Sequence, residues 1–283
     1  MVRLGIYEKA LPKEISWEEK LSLAKSLGFD YIETSIDESD ERLRRLNWTK
    51  EERQSICHLM KEQKMPIQSI CLSGHRRFPL GSHDEKIRKQ AVELGRKAIH
   101  FAYDLGARNV QLAGYDVYYE DKDVSTREWF IENLSCLVNE AAAYNVTLAI
   151  EIMDDPFINN INRFLEIKTQ IHSPWLQVYP DLGNLSAWNK NVGYELEKGI
   201  DFISAIHIKD TLAVSEAFKG QFRDVPFGEG CVDFAGCFKV LHRLNYHGSF
   251  VIEMWNGEHE ETQTIQQAKD YLLPLMREAG YDV

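Results

Sequence analysis

The feature that most constrains this sequence is its alternation. Short runs rich in β-branched and aromatic residues are followed, eight times, by segments with helical character. The strand-like runs lie at 3–9, 29–37, 66–74, 108–114, 146–151, 176–184, 203–210 and 248–255. Ser16 with Glu19, and Thr49 with Glu52, stand in capping-box spacing where helices follow the first two runs. Gly28 and Gly106 stand where helices should stop. Strands alternating with helices predict parallel pairing with the helices outside. Eight such units in 283 residues predict an α/β fold, a (β/α)8 TIM barrel forming one domain over 1–283. An open doubly wound sheet is the competing architecture. It usually carries a Gly-rich phosphate turn after its first strand, and here that strand runs into "IYEKALPKE". The longest irregular stretch, 211–230, is long enough to predict a functional loop.

Composition narrows the function. An apolar fraction of 44% supplies a large core. A net charge of −11 argues against a nucleic-acid binder, which needs cations to neutralise phosphates, but leaves room for a small anionic substrate in a local basic pocket. The start "MVRLGIYEKALPKE" has no basic segment leading into an apolar one, and no run approaches a membrane span. The five cysteines, Cys57, Cys71, Cys136, Cys231 and Cys237, form no CxxC pair. They are expected to be reduced and mostly buried, in a cytoplasmic protein.

In a barrel of this kind the active site lies where strands run into the loops that follow them. Four consecutive strand ends carry a metal-capable side chain there: Glu151, Asp181, His207 and Glu253. Taken singly, a strand-end Glu has an ordinary reading as a helix-cap or surface group, and a strand His as a satisfied core residue. Together, two Glu, one Asp and one neutral His suit one divalent ion: Mn, Co or Mg, or Zn with open positions.

The order Glu, Asp, His, Glu on strands five to eight resembles that of the xylose isomerase-like metal barrels, and more narrowly the ketose 3-epimerases. The stretches "LGIYEKALP", "CLSGHRRFPLGS", "PDLGNLSAW", "HIKDT" and "FGEGCVDF" resemble the L-ribulose-5-phosphate (L-xylulose-5-phosphate) 3-epimerases of L-ascorbate and pentose catabolism, over essentially the whole chain. The resemblance implies metal ligation by Glu151, Asp181, His207 and Glu253, with Glu151 and Glu253 as the acid/base pair. It implies interconversion of L-xylulose 5-phosphate and L-ribulose 5-phosphate by proton transfer at C3 through an enediolate, no nucleotide cofactor, and a homodimer. Where the free-sugar 3-epimerases have a His shortly after the strand-six Asp, this chain reads Leu182, Gly183, Asn184, which favours the phosphosugar branch.

A phosphate needs its own anchor. "SGHRRF" after strand three offers Ser73, His75, Arg76 and Arg77 with backbone N–H groups. The loop after strand seven adds Lys209, Lys219 and Arg223, and its "FGEG" leads to a helix whose N-terminus favours an anion. A solvated cationic rim is the bland reading of these groups. Glu8 and Glu33, near the ends of strands one and two, could bond substrate or hold a neighbouring loop. Trp188 could wall the pocket or pack. His58, His172 and His242 are expected to be structural. Three other functions compete: an aldose–ketose isomerase on a phosphorylated sugar such as a hexulose 6-phosphate, a metal-dependent nuclease on the same barrel, and a non-catalytic sugar binder.

Overall fold

The computed structural model describes residues 2–255 and 262–283. Eight strands alternate with helices: β1 (Arg3–Tyr7), β2 (Tyr31–Ile36), β3 (Ile67–Leu72), β4 (Asn109–Ala113), β5 (Thr147–Glu151), β6 (Leu176–Tyr179), β7 (Ala205–Ile208) and β8 (Ser249–Ile252). The helices are α1 (Trp17–Ser26), α2 (Asp40–Leu43), α3 (Lys50–Gln63), α4 (Glu85–Leu105), α5 (Val124–Ala143), α6 (Ile161–Lys168), α7 (Leu182–Trp188), α8 (Val192–Gly199), α9 (Phe234–Arg243) and α10 (Gln263–Glu278). The sheet runs β6-β5-β4-β3-β2-β1-β8-β7, parallel throughout. Parallel bridges Val178–Ile203 and Asp181–His207 draw β6 towards β7, so the eight strands form a nearly closed barrel. Both capping boxes form, on α1 and α3, and Gly106 ends α4 in the left-handed conformation at φ +72°.

Strand alternation sorts the side chains. One set, including Leu4, Ile6, Ile32, Ile70, Val110, Leu112, Leu148, Ile150, Val178, Ile206 and Phe250, joins the large core under the helices. The alternate set belongs to separate small clusters (Tyr7, Tyr31, Cys71 and Val251; Ala149, Tyr179 and Ala205) and carries the polar residues Glu33, Gln111, Glu151 and His207. Space inside is tight: a Cβ on Gly5 of β1 would come within 2.4 Å of the Tyr31 ring.

Two local expectations change. The sixth strand stops at Tyr179 rather than continuing to 184, because Pro180 has no N–H and Asp181 caps α7. The loop over 211–230 is irregular as expected, apart from Leu212 and Gln221, which exchange backbone hydrogen bonds. The cysteines are all free, but only Cys71 and Cys237 are buried, while Cys136 and Cys231 are exposed.

Candidate functional site

The four strand-end residues meet. Glu151, Asp181, His207 and Glu253 each offer one ligand atom, all within 4.8 Å of one another and all on buried side chains. Alternation accounts for three of them: Glu151 shares its face with Ala149, His207 with Ala205, and Glu253 with Val251. Asp181 arrives differently. Its Oδ1 caps α7, accepting from Asn184 N at 2.6 Å, which leaves Oδ2 directed at the others. His207 Nδ1 lies 2.9 Å from Glu151 Oε1 and 3.9 Å from both Asp181 Oδ2 and Glu253 Oε2. The side-chain amide of Gln111 on β4 donates to Glu151 Oε2.

The charges in this cluster are distributed unevenly. Burial opposes ionisation of Glu253, but Lys209 and His207 outweigh it and pull its carboxyl well below the usual range. Burial pushes the Asp181 carboxyl well above the usual range, and the attraction of Lys209 offsets only part of that. Lys209 Nζ is 2.9 Å from Glu253 Oε2 and 3.4 Å from Asp181 Oδ2, and the neighbouring Glu253 and Glu151 further oppose ionisation of Asp181. Burial works against the cationic form of His207, yet Glu33 and Glu253 draw its pKa upwards.

These residues fit a divalent ion. Three carboxylates and one imidazole converge, and like charges so close in a buried site need compensation. Asp181 Oδ2 is buried without a hydrogen-bond partner, an acceptor with spare capacity aimed into the cluster. Oxygen-rich ligation with one imidazole suits Mn, Co, Mg or Zn.

Above the cluster opens a cleft with about 430 Å³ of atom-free space. Tyr7, Met153, Phe222 and Trp255 contribute apolar wall, and Glu151 and Glu253 are exposed to it. Of the residues expected to meet a phosphate, Ser73, Arg76, Lys209 and Arg223 line this cleft, whereas His75 and Arg77 do not. The turn at Ser73–Arg76 is a 3-10 helix, in which residues three apart eclipse, so Ser73 and Arg76 share a face. His75 turns inward and donates from Nε2 to the Ala91 carbonyl at 3.0 Å, and burial lowers its pKa to about 4. Arg77 is exposed and bonds Asp40 at 2.6 Å and the Glu38 carbonyl at 3.1 Å.

Lys209 is no rim cation: its ammonium lies within the carboxylate cluster. Arg223 stacks its guanidinium 5.0 Å from the Trp255 ring centre. Lys219 does not line the cleft. Nor is the N-terminus after "FGEG" free for an anion, since Asp233 caps α9 by accepting from Gly236 N at 2.9 Å. The loop itself hangs on Asp210, whose carboxylate accepts from the N–H groups of Gly228, Gly230 and Val232. A Cβ on Gly230 would fall 2.0 Å from Asp210 Oδ1, so this close approach requires glycine.

Arg76 has an unusual environment. Its guanidinium lies 5.4 Å from the centres of both the Tyr115 and Tyr118 rings, and its Nε is buried without a hydrogen-bond partner. Among the described residues it forms no ion pair with a carboxylate, although Asp154 accepts from the Tyr115 hydroxyl nearby.

Sequence reasoning missed Lys9, Asp154 and Gln111. Lys9 lines the cleft just past β1 and pairs with Asp37 at 2.6 Å, a placement that its strand-end position could have suggested. Asn184, noted only as standing in a stretch without His, also lines the cleft and donates to the Ile152 carbonyl at 2.8 Å. Glu8 and Glu33 both prove to be internal. Glu8 is held by Lys20, Arg42 and Arg45, and Glu33 bonds His207.

A sequence model described as xylose isomerase-like TIM barrel matches residues 21–275. The SgbU protein of Escherichia coli, provisionally named an L-ribulose-5-phosphate 3-epimerase, is 56% identical over 280 residues, covering 99% of this chain and 98% of its own. The L-ribulose-5-phosphate 3-epimerase UlaE of Escherichia coli is 48% identical over 280 residues, covering 99% of this chain and 96% of its own. The solved structure of the Escherichia coli 3-keto-D-glucoside 4-epimerase YcjR superposes with a TM-score of 0.79 over 97% of this chain and all of that one. At 18% identity that likeness speaks to the fold.

Proposed function

The chain belongs to the xylose isomerase-like TIM barrel family and, within it, to the L-ribulose-5-phosphate 3-epimerases, and from that membership we propose that it interconverts L-xylulose 5-phosphate and L-ribulose 5-phosphate by proton transfer at C3. It is an isomerase, and the proposal concerns its substrate and how its residues act. One observation carries the reading: two carboxylates, Glu151 and Glu253, reach the floor of one cleft from β5 and β8, on either side of His207 and Asp181.

Inverting a carbon beside a ketone requires removing its proton and delivering one to the opposite face. Glu151 and Glu253 are assigned these roles, one as base and the other as acid, exchanging them with direction. Lys209, 2.9 Å from Glu253 Oε2, favours the ionised form from which a base must start. Gln111 fixes one oxygen of Glu151 and leaves the other facing the cluster. Glu151, Asp181, His207 and Glu253 would hold the divalent ion, which when bound would supply positive charge against the charge that develops as the enediolate forms. Tyr7, Phe222 and Trp255 exclude water from one side of the substrate.

Arg76 anchors the phosphate in this reading. Among the described residues the Arg76 guanidinium forms no ion pair with a carboxylate and its Nε has no hydrogen-bond partner, and a guanidinium so placed in the cleft is better held when an anion completes it. Arg223 and Lys9 add positive charge around the same cleft.

The test is NMR of L-xylulose 5-phosphate with the enzyme in D2O, with and without EDTA. Conversion to L-ribulose 5-phosphate with deuterium entering only at C3, lost on chelation, is the expected result. Deuterium at C1 with an aldose product would move the assignment to an aldose–ketose isomerase. No exchange at either carbon with Mn²⁺ supplied would remove this substrate.

A further inference from the structure

Glu33, on β2, is a carboxylate inside the barrel that neither lines the cleft nor reaches the surface, being 0% exposed. Its Oε1 lies 2.5 Å from His207 Nε2, and its Oε2 accepts from Ser69 Oγ at 2.6 Å and Tyr179 OH at 2.8 Å. Groups from β3, β6 and β7 therefore converge on a carboxylate from β2. A buried carboxylate is expensive, and an apolar side chain of similar size would fill the same space at lower cost. Its presence there calls for a task, and its geometry names one.

An imidazole has two nitrogens, and the bond made by one sets what the other can do. His207 Nδ1 faces Glu151, Asp181 and Glu253, while Nε2 faces Glu33. With Nε2–H donated to Glu33, Nδ1 is the nitrogen left to offer its lone pair to a cation in the cluster once it carries no proton. Ser69 and Tyr179 hold the second carboxylate oxygen, so Glu33 cannot swing away. Tyr179 also packs its ring against the imidazole, with centroids 4.7 Å apart at 63°. The ring is thereby fixed both in its plane and across it.

We propose that Glu33 is a positioning residue for His207, setting its tautomer and orientation for a divalent ion through a buried node completed by Ser69 and Tyr179. This rests on the reading of Glu151, Asp181, His207 and Glu253 as the metal site. Outer carboxylate partners of metal-binding histidines raise metal affinity by about 10- to 100-fold.

The experiment measures Zn²⁺ affinity by competition with a chromogenic chelator for the wild type, Glu33→Gln and Tyr179→Phe, together with the melting temperature of each metal-free protein. Long-range ¹H–¹⁵N spectra of the Zn²⁺-loaded protein read the His207 tautomer. The wild type is expected to carry its His207 proton on Nε2. Glu33→Gln keeps the shape of the node, since both hydroxyls can reverse direction, but removes its charge. Its Zn²⁺ affinity should fall by about 10- to 100-fold while the metal-free melting temperature stays within a few degrees. Tyr179→Phe should lose about fivefold, the scale of one hydrogen bond. Affinity of Glu33→Gln within twofold of wild type, or a His207 proton on Nδ1 in the wild type, overturns the proposal. If Glu33→Gln fails to fold, Tyr179→Phe decides, and unchanged affinity and tautomer overturn it. Absence of Zn²⁺ binding by the wild type overturns the metal reading itself, and this inference with it.

Discussion

Lys209 and Glu253 form a buried ion pair, Nζ to Oε2 at 2.9 Å, inside the cluster proposed to hold a divalent ion. The ammonium neutralises the negative charge that Glu253 brings beside Glu151 and Asp181. Removing it should expose that charge in the metal-free protein. Lys209→Met is therefore expected to destabilise the metal-free enzyme by about 3–5 kcal/mol, the cost of leaving a buried partner unpaired. Saturating Mn²⁺ should restore a large part of that loss. Urea denaturation with EDTA or with Mn²⁺ checks this, and equal destabilisation in both would count against the assignment.

Glu151→Gln and Glu253→Gln each remove one of the two proposed proton carriers. Each is expected to lower kcat for epimerisation by about 10²- to 10⁴-fold, the range for a positioned acid or base. The NMR assay in D2O checks both. Either variant retaining kcat within about threefold of wild type would remove that residue from proton transfer.

Arg76 and Arg77 are adjacent, but only Arg76 lines the cleft. Arg76→Met should raise KM for the phosphorylated ketose by about 30-fold or more, the scale of losing one partner of a desolvated charge pair. Arg77→Ala should change KM by less than about twofold, as an exposed ion pair contributes little. Steady-state kinetics with both variants decides, and the reverse ranking would move the phosphate site.

Glu8 is a stability residue with a defined pH signature. Burial disfavours its charge, but Arg45, with Arg42 and Lys20, brings its carboxyl down to about 2 from 4.5. At Lys20 the balance is reversed, because burial lowers its pKa despite Glu8. Glu8 has three cations where Lys20 has one close anion, so its carboxylate is the better-held charge. A folded pKa below the unfolded one gives stability that is present above pH 4.5 and is lost as pH falls towards 2. The contribution is about 3 kcal/mol. Glu8→Gln should destabilise the protein by about 3–5 kcal/mol at neutral pH and flatten the stability profile between those values. Urea unfolding of both proteins from pH 7 down to the acid limit measures it, and parallel profiles would refute the assignment.

Local order was readable from the residues alone. The capping boxes at Ser16 and Thr49 and the stop at Gly106 depend on neighbours three or four positions away, and they form as expected. The alternation of strands and helices implied the barrel, because parallel strands need helical crossovers. Barrel strands in turn place strand-end side chains at one mouth, so Glu151, Asp181, His207 and Glu253 could be named together before any geometry was known. Pairings across the barrel had no such local signal. Glu33 meets His207 across 174 positions, and Lys209 finds Glu253 across 44. These contacts depend on register around the sheet and on where each long side chain ends. The same holds for Arg76 and Arg77: sequence offered both, and a single 3-10 turn directed one into the cleft and the other to Asp40. Sequence alone determined which chemistry stands at the mouth of the barrel, because that follows from strand position. Only the tertiary structure decided which charge faces which, because that follows from closure.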